Sequence, residues 1–296
     1  MELDIRPLSK SLAAEIGNID LAKPISQETF AALRHAWYQY LVLIFPDQKL
    51  SKENHMAFSR RWGELEIHPA KEFILEDCPE ILHLTNRRDA DGNFIGLRDG
   101  GSIWHSDLSY MTHPSSGSLL YAIEVPQDGG DTEWANMYLA YDALPKRLED
   151  RIFGLKAVHQ FDIERNPRVA PPKDLPMENA RGSIWEKRPA HKKPLTKAVV
   201  HPIVRSHPET NRRALYVNRR FTTHVLDLSE YESEDLLMEL FDYAEAPAHI
   251  YHHRWNKDQL VIWDNRCTIH LACGGVPANQ FRTMHRTSVR GEVPVA

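Results

Sequence analysis

Short apolar runs set between turn residues restrict this chain most: Leu41 to Phe45, Ser118 to Ile123, Ala198 to Val204, Ala214 to Val217, Ile250 to Trp255 and Leu260 to Trp263. Each has the length of a strand, and clusters such as Asp128-Gly129-Gly130-Asp131 and Asn256-Lys257-Asp258 bound them. Helical patterns are few and lie mainly toward the ends. Phe30, Leu33, Trp37 and Tyr40 share a face after Pro24-Ile25-Ser26, and a second helix runs from Ser51 to about Trp62-Gly63. Ser229 and Glu232 form a capping box ahead of Leu236, Leu237, Leu240 and Phe241. Strands in series with helices at the ends predict a mainly β, α+β chain: an antiparallel sandwich or barrel with helical cover, not a βαβ repeat. With no internal repeat and no dividing linker, residues 1–296 read as a single domain. Pro, Lys and Arg accumulate without periodicity over about 163–198, which predicts a long loop or lid.

Bulk charge narrows the partners. Lys and Arg total 36 against 41 Asp and Glu, a net charge of −5, so no basic field draws nucleic acid or an anionic membrane. An anionic ligand must therefore be gripped by local Arg or Lys. Three cysteines, Cys78, Cys267 and Cys273, form no disulfide framework and suit a reducing compartment; Cys267 and Cys273 read as plain buried residues. Met1-Glu2-Leu3-Asp4 lacks the apolar core of a signal peptide, and Leu41 to Phe45 is too short to span a bilayer. The expectation is a cytoplasmic protein. No phosphate-binding or dinucleotide glycine loop occurs, and no Gly-x-Ser-x-Gly elbow.

The chemistry-bearing residues are histidines and acids. With 16 histidines and 41 acidic residues, His-x-Asp/Glu is unremarkable by chance, and it occurs twice. His207-Pro208-Glu209 sits beside Thr210 and Asn211 in what reads as a polar surface turn. His105-Ser106-Asp107 follows Trp104 and precedes a strand-like run; on a strand, residues i and i+2 share a face and offer an imidazole and a carboxylate to one ion. His270, after Val261-Ile262-Trp263-Asp264-Asn265-Arg266, is available as a third ligand. Two histidines and one carboxylate make the facial triad of non-haem iron(II) oxygenases, which leaves three adjacent positions open. His252-His253 resembles a metal pair, but neighbours on a strand point to opposite faces.

Taken in order, Trp-His-x-Asp, Gly129-Gly130-Asp131-Thr132, Trp263-Asp264-Asn265-Arg266 ending at His270, then Arg282 and Arg286, resemble the taurine and 2,4-dichlorophenoxyacetate dioxygenase family. The resemblance extends from Phe45-Pro46-Asp47-Gln48 and Phe58-Ser59-Arg60-Arg61-Trp62-Gly63 to Tyr216-Val217-Asn218 and Phe221-Thr222-Thr223. It implies a double-stranded β-helix (jelly-roll, cupin-like) core with helical cover. It also implies Fe(II) on His105, Asp107 and His270, with 2-oxoglutarate and O2 as cosubstrates. Thr132 and Arg282 match the pair that holds the far carboxylate of 2-oxoglutarate, and Arg286 and His68 match residues facing the acidic group of the primary substrate. The implied reaction hydroxylates a small organic anion with release of succinate and CO2, and the adduct often breaks at C–O, C–S or C–N. Homo-oligomers are common among such enzymes. Lys71 stands where taurine enzymes carry an aromatic residue, and Gly101 where they carry an asparagine near the amine. An anion grip without an amine grip points to an aryloxyalkanoate-type carboxylate or an alkyl sulfonate or sulfate. Two other classes fit a jelly roll: a cupin-like metal-dependent hydrolase or isomerase, and a non-catalytic ligand-binding protein. Neither needs Thr132 and Arg282.

Overall fold

The computed structural model describes residues 3–98, 101–161 and 196–296. Eight strands form the larger sheet. In spatial order they are Asp4–Pro7, Ala14–Gly17, Val42–Phe45, Leu260–Asp264, Ser115–Glu124, Thr283–Arg290 and Leu65–Glu66, with Leu82–Thr85 also paired to Thr283–Arg290. A second sheet has three strands, Ile250–His253, Thr132–Asn136 and Thr268–Ala272, all antiparallel.

The period of two along the central strands sorts side chains between two cores. Leu120, Ala122, Val261, Trp263 and Met284 point inward and share one core with Trp134 of the second sheet. Trp134 and Trp263 meet across the gap at 5.6 Å between rings. Leu119, Tyr121, Leu260, Ile262 and Val289 point outward and pack under Phe30, Leu33, Trp37 and Phe58. Two sheets over one apolar core, antiparallel but for the parallel pair of Ala14–Gly17 with Val42–Phe45, and helices on the outer face make the jelly roll expected from the sequence.

The predicted helices occur at Gln27–Tyr40, Lys52–Arg60 and Glu230–Ala244. Ser26 caps the first by accepting from the Thr29 amide, and Leu41, at φ 63°, turns the chain straight into Val42–Phe45. Ser229 and Glu232 make the full capping box. Two further helices, Met137–Asp142 and Lys146–Ile152, lie mid-chain, so the expectation of helices mainly at the ends is corrected. Neither is long enough to show a helical period, and the first is set by Asn136, whose side chain accepts from the Tyr138 and Leu139 amides. The run Ala198 to Val204 splits into Val199–Pro202 and Val204–Ser206. Residues 163–195 of the expected lid lie outside the described residues. Among the described residues no helix is long and apolar enough to cross a membrane.

Candidate active site

An isolated antiparallel bridge joins His105 to His270, each amide donating to the other's carbonyl at 3.0 and 2.8 Å. Their rings lie 4.1 Å apart. Asp107 completes the group, with Oδ1 3.7 Å from His105 Nε2 and Oδ2 3.8 Å from His270 Nε2. All three residues are buried, and their ligand atoms lie within 4.8 Å of one another. The strand expected at His105–Asp107 is only one bridge long. Asp107 already opens a turn in which Leu108 takes φ 56°. A single step of strand geometry suffices to put imidazole and carboxylate on one side.

These residues suit a divalent metal. The His105 Nδ1–H donates to Ile103 O at 2.8 Å, which fixes the tautomer and leaves the Nε2 lone pair facing Asp107. Burial drives both imidazoles toward the neutral form. His270 falls to about 4, with Asp107 opposing and Arg286 and Arg220 reinforcing; His105 lies well below its ordinary value. Burial alone would raise the Asp107 carboxyl, but the Arg286 guanidinium outweighs it and, with the Ser118 hydroxyl, holds it well below the usual carboxylate range. Two neutral nitrogens and one ionised oxygen are the donor set that such an ion requires.

Residues that sequence reasoning did not single out aim the carboxylate. Ser118 Oγ donates to Asp107 Oδ2 at 2.7 Å. Asn265 Oδ1 accepts from the Asp107 amide at 3.2 Å and from Trp263 Nε1 at 3.0 Å, while its Nδ2 donates to Ser118 Oγ at 3.0 Å. Asn265 was visible in the Trp-Asp-Asn-Arg motif; Ser118 carried no signal beyond its place on a strand. Gly101 is held close, since a Cβ there would lie 3.0 Å from His105 Cε1.

The second sheet extends the site. His270 pairs with Trp134 and Ala272 with Thr132, so Thr132 lies two residues along the same inner face, roughly 7 Å from the metal row. Its hydroxyl accepts from Trp255 Nε1 at 2.9 Å. Arg282, 5.9 Å over the same Trp255 ring, donates from Nε to Gly130 O at 3.0 Å. Gly130 has φ 76°, and a Cβ on it would meet Arg282 Cδ at 2.9 Å, so glycine is required there. Burial lowers Arg282 to about 10, which keeps it charged at neutral pH.

On the other flank, Arg286 Nη1 donates to Asp107 Oδ1 at 2.6 Å. Arg282, Met284 and Arg286 alternate onto the inner face, so the two arginines share a side as their spacing predicts. His68 Nδ1 accepts from the Ala70 amide at 3.1 Å, leaving its proton on Nε2. Burial and the charges of Arg286 and Arg220 lower His68 to about 3, with Asp107 opposing, so it stays neutral. Arg220, buried and over the Phe221 ring at 4.7 Å, adds a second cation beside Asp107. Phe221 stands edge-on to His105 at 5.9 Å and contacts Tyr110 at 4.7 Å; Tyr110 meets Phe161 at 4.8 Å. Phe221 stood in the Phe-Thr-Thr motif, whereas Arg220, Tyr110 and Phe161 were missed, because no spacing marks residues that converge from separate loops.

His207, expected on the surface, is fully buried and correction is needed there. Its Nε2–H donates to Asp264 Oδ2 at 3.1 Å, because Asp264 draws it under the sheet. Cys267 is buried beside this pair as expected, whereas Cys273 is exposed, which corrects the reading of both as buried.

With this geometry in place, comparison with known proteins is direct. The family described as "Taurine catabolism dioxygenase TauD, TfdA family" matches residues 4–288. The (S)-phenoxypropionate/alpha-ketoglutarate-dioxygenase of Sphingobium herbicidovorans is 34% identical over 98% of this chain and 95% of its own. An alpha-ketoglutarate-dependent sulfate ester dioxygenase of Pseudomonas putida is 28% identical over 100% and 92%. Among solved structures, a taurine dioxygenase from Burkholderia xenovorans superposes with a TM-score of 0.80 at 29% identity, covering 99% of this chain and 93% of that one. AAD-2 in complex with Mn(II) and N-oxalylglycine gives a TM-score of 0.76 at 28% identity, with full coverage of both. A buried two-histidine, one-carboxylate site in a jelly roll defines the class as a metal-dependent oxygenase. The chain belongs to the TauD/TfdA family of dioxygenases.

Proposed function

We propose that this chain is an Fe(II)- and 2-oxoglutarate-dependent dioxygenase that works as a single domain and hydroxylates a small organic anion with an aryl or otherwise apolar body. The observation that carries this reading is the pair of neutral imidazoles whose Nε2 atoms face one ionised aspartate. His105, Asp107 and His270 hold the iron. The metal and its cosubstrate supply the oxidising power, one atom of O2 entering the substrate and the other the succinate formed as 2-oxoglutarate loses CO2.

The chain's own residues bind and orient. Thr132 and Arg282 take the far carboxylate of 2-oxoglutarate, the guanidinium pairing with it while the hydroxyl completes the contact. N-oxalylglycine, bound to AAD-2 with Mn(II), has the backbone of 2-oxoglutarate with NH in place of one CH2, which supports a diacid of that length here. Arg286 and the His68 Nε2–H take the substrate anion, with Arg220 adding positive field. Phe221, Tyr110 and Phe161 offer the apolar wall. An aromatic wall beside two guanidinium groups favours an aryloxyalkanoate carboxylate. An alkyl sulfate or sulfonate is the second reading, because a neutral N–H beside a guanidinium also suits a three-oxygen anion.

The test is succinate release over a panel of phenoxyacetates, phenoxypropionates, alkyl sulfates, alkyl sulfonates and taurine, with products identified. We expect succinate to match hydroxylated product for the aryloxyacids and taurine to give least. Succinate production that no apolar-bodied anion stimulates would refute the substrate class.

A further inference from the structure

The outer face of the second sheet gathers potential metal-binding side chains to which no catalytic role is assigned above. Thr132–Asn136 is its middle strand. His252 stands directly across from Glu133 on one flank. On the other flank the Cys273 amide donates to Asp131 O at 2.9 Å, continuing the ladder that pairs Leu271 with Glu133. Asp131 and Glu133 are two residues apart and share a face, as do Leu271 and Cys273. Three adjacent strands therefore present two carboxylates, an imidazole and a thiol to one outer patch. Thr132, between the two acids, points the other way into the active site. His253 also turns inward, its Nε2 bonded to Gln259 Oε1 at 3.2 Å. The adjacent histidines diverge as the sequence predicts, but His252 finds its companions on neighbouring strands.

We propose that Glu133, His252 and Cys273 form a second, divalent-metal site of the zinc type, with Asp131 holding the imidazole from behind. His252 Nδ1 lies 3.0 Å from Glu133 Oε1, and its Nε2 lies 2.9 Å from Asp131 Oδ2. A metal at Nδ1 leaves Nε2–H to donate to Asp131, the carboxylate–histidine–metal arrangement that fixes ligand orientation in many zinc sites. Ligand atoms of Glu133, His252 and Cys273 already lie within 4.8 Å of one another. Zinc bonds of about 2.0–2.3 Å set neighbouring ligand atoms roughly 3.3–3.7 Å apart in a tetrahedron, so closing the site takes about an ångström of movement. The exposed His252 and Cys273 side chains and the half-buried Glu133 supply that, and water would fill the fourth position. The thiol is the discriminating member, since it adds nothing to an imidazolium–carboxylate cluster. Partial shielding of its sulfur from water and the two acids keep it protonated, at about 11, until a cation offsets their charge. Mixed nitrogen, oxygen and sulfur donors select zinc over calcium or magnesium.

The site stands independently of the dioxygenase reading, and cobalt(II) reports on the two separately. Only the outer site contains sulfur, so only there does Co(II) produce an intense near-ultraviolet thiolate-to-metal band. Anaerobic titration of the metal-free protein should show two equivalents of Co(II), the band accompanying one of them and disappearing when Zn(II) is added. Cys273→Ser and His252→Gln should each remove the band and one equivalent. His270→Ala should remove the other equivalent and leave the band intact. Binding of Co(II) without a thiolate band overturns the proposal. So does a band that survives Cys273→Ser, which would assign the sulfur to Cys267 or Cys78.

Discussion

Two buried aspartates in this molecule have nearly the same neighbours and opposite chemistry. Asp107 is 3% exposed and Asp264 0%, each faces histidine and arginine, and each carboxyl is held well below its ordinary range. Asp264 is closed. Arg266 donates to both of its oxygens, at 2.8 and 2.6 Å, and His207 adds its Nε2–H because its Nδ1 already accepts from the Glu209 and Thr210 amides. Asp107 is open: it receives one guanidinium nitrogen and one hydroxyl, while both imidazoles turn toward it as neutral rings. At His105, whose proton is held on Nδ1, a lone pair faces the carboxylate and is repelled unless a cation lies between them. The direction of the ring proton, away from Asp107 at His105 and toward Asp264 at His207, separates a candidate metal site from a structural knot.

Substitution should split the two most sharply. Asp107→Ala removes the only charged metal ligand, so turnover and iron retention should vanish while circular dichroism still reports the native fold. Asp264→Ala should do the reverse, leaving Arg266 buried without its partner at a cost of about 3–5 kcal/mol in denaturant unfolding, while the protein that remains folded keeps its iron. Next in size are the two inner-face arginines. Arg286→Ala should cost roughly 2–5 kcal/mol in kcat/KM for the primary substrate, and Arg282→Ala should chiefly raise the 2-oxoglutarate requirement. Unchanged substrate saturation in Arg286→Ala would contradict that division of labour.

Smaller effects sharpen the contrast. Ser118→Ala leaves the ligands in place but frees Asp107 Oδ2, and should weaken metal binding by roughly 10–100-fold in a chelator competition. Acid should act on the fold through histidines remote from the metal. His201 and His253 sit at about 4 because burial disfavours their charged form. Their depressed values mean that the unfolded chain takes up protons first. Stability should therefore be full above pH 6.5 and fall toward pH 4, by up to about 1.4 kcal/mol per pH unit for each group. Thermal melts across that range test this, and a flat profile would contradict it.

Much of the fold was legible because it rests on local rules. Ser26 and Ser229 announce helix starts, and the apolar runs around Leu119, Ile262 and Phe45 announce strands. The His105, Asp107 and His270 cluster was legible because His105 and Asp107 are near neighbours in sequence and His270 follows a motif. What escaped depends on convergence of distant segments: Ser118 behind Asp107, Arg220 beside it, and His207 drawn inward by Asp264. None of these has a period or spacing, because burial of a polar residue is decided by the partner it meets. The short helix at Met137–Asp142 escaped for a related reason, being set by one Asn136 cap rather than by an apolar stripe.

The most direct test of the central claim is anaerobic addition of Fe(II) and then 2-oxoglutarate to the metal-free protein, followed by visible absorption. A 2-oxo acid chelated to iron at the Asp107 centre should give a charge-transfer band that is absent from folded Asp107→Ala. A well-folded wild-type protein without the band, or an undiminished band in Asp107→Ala, would contradict the account.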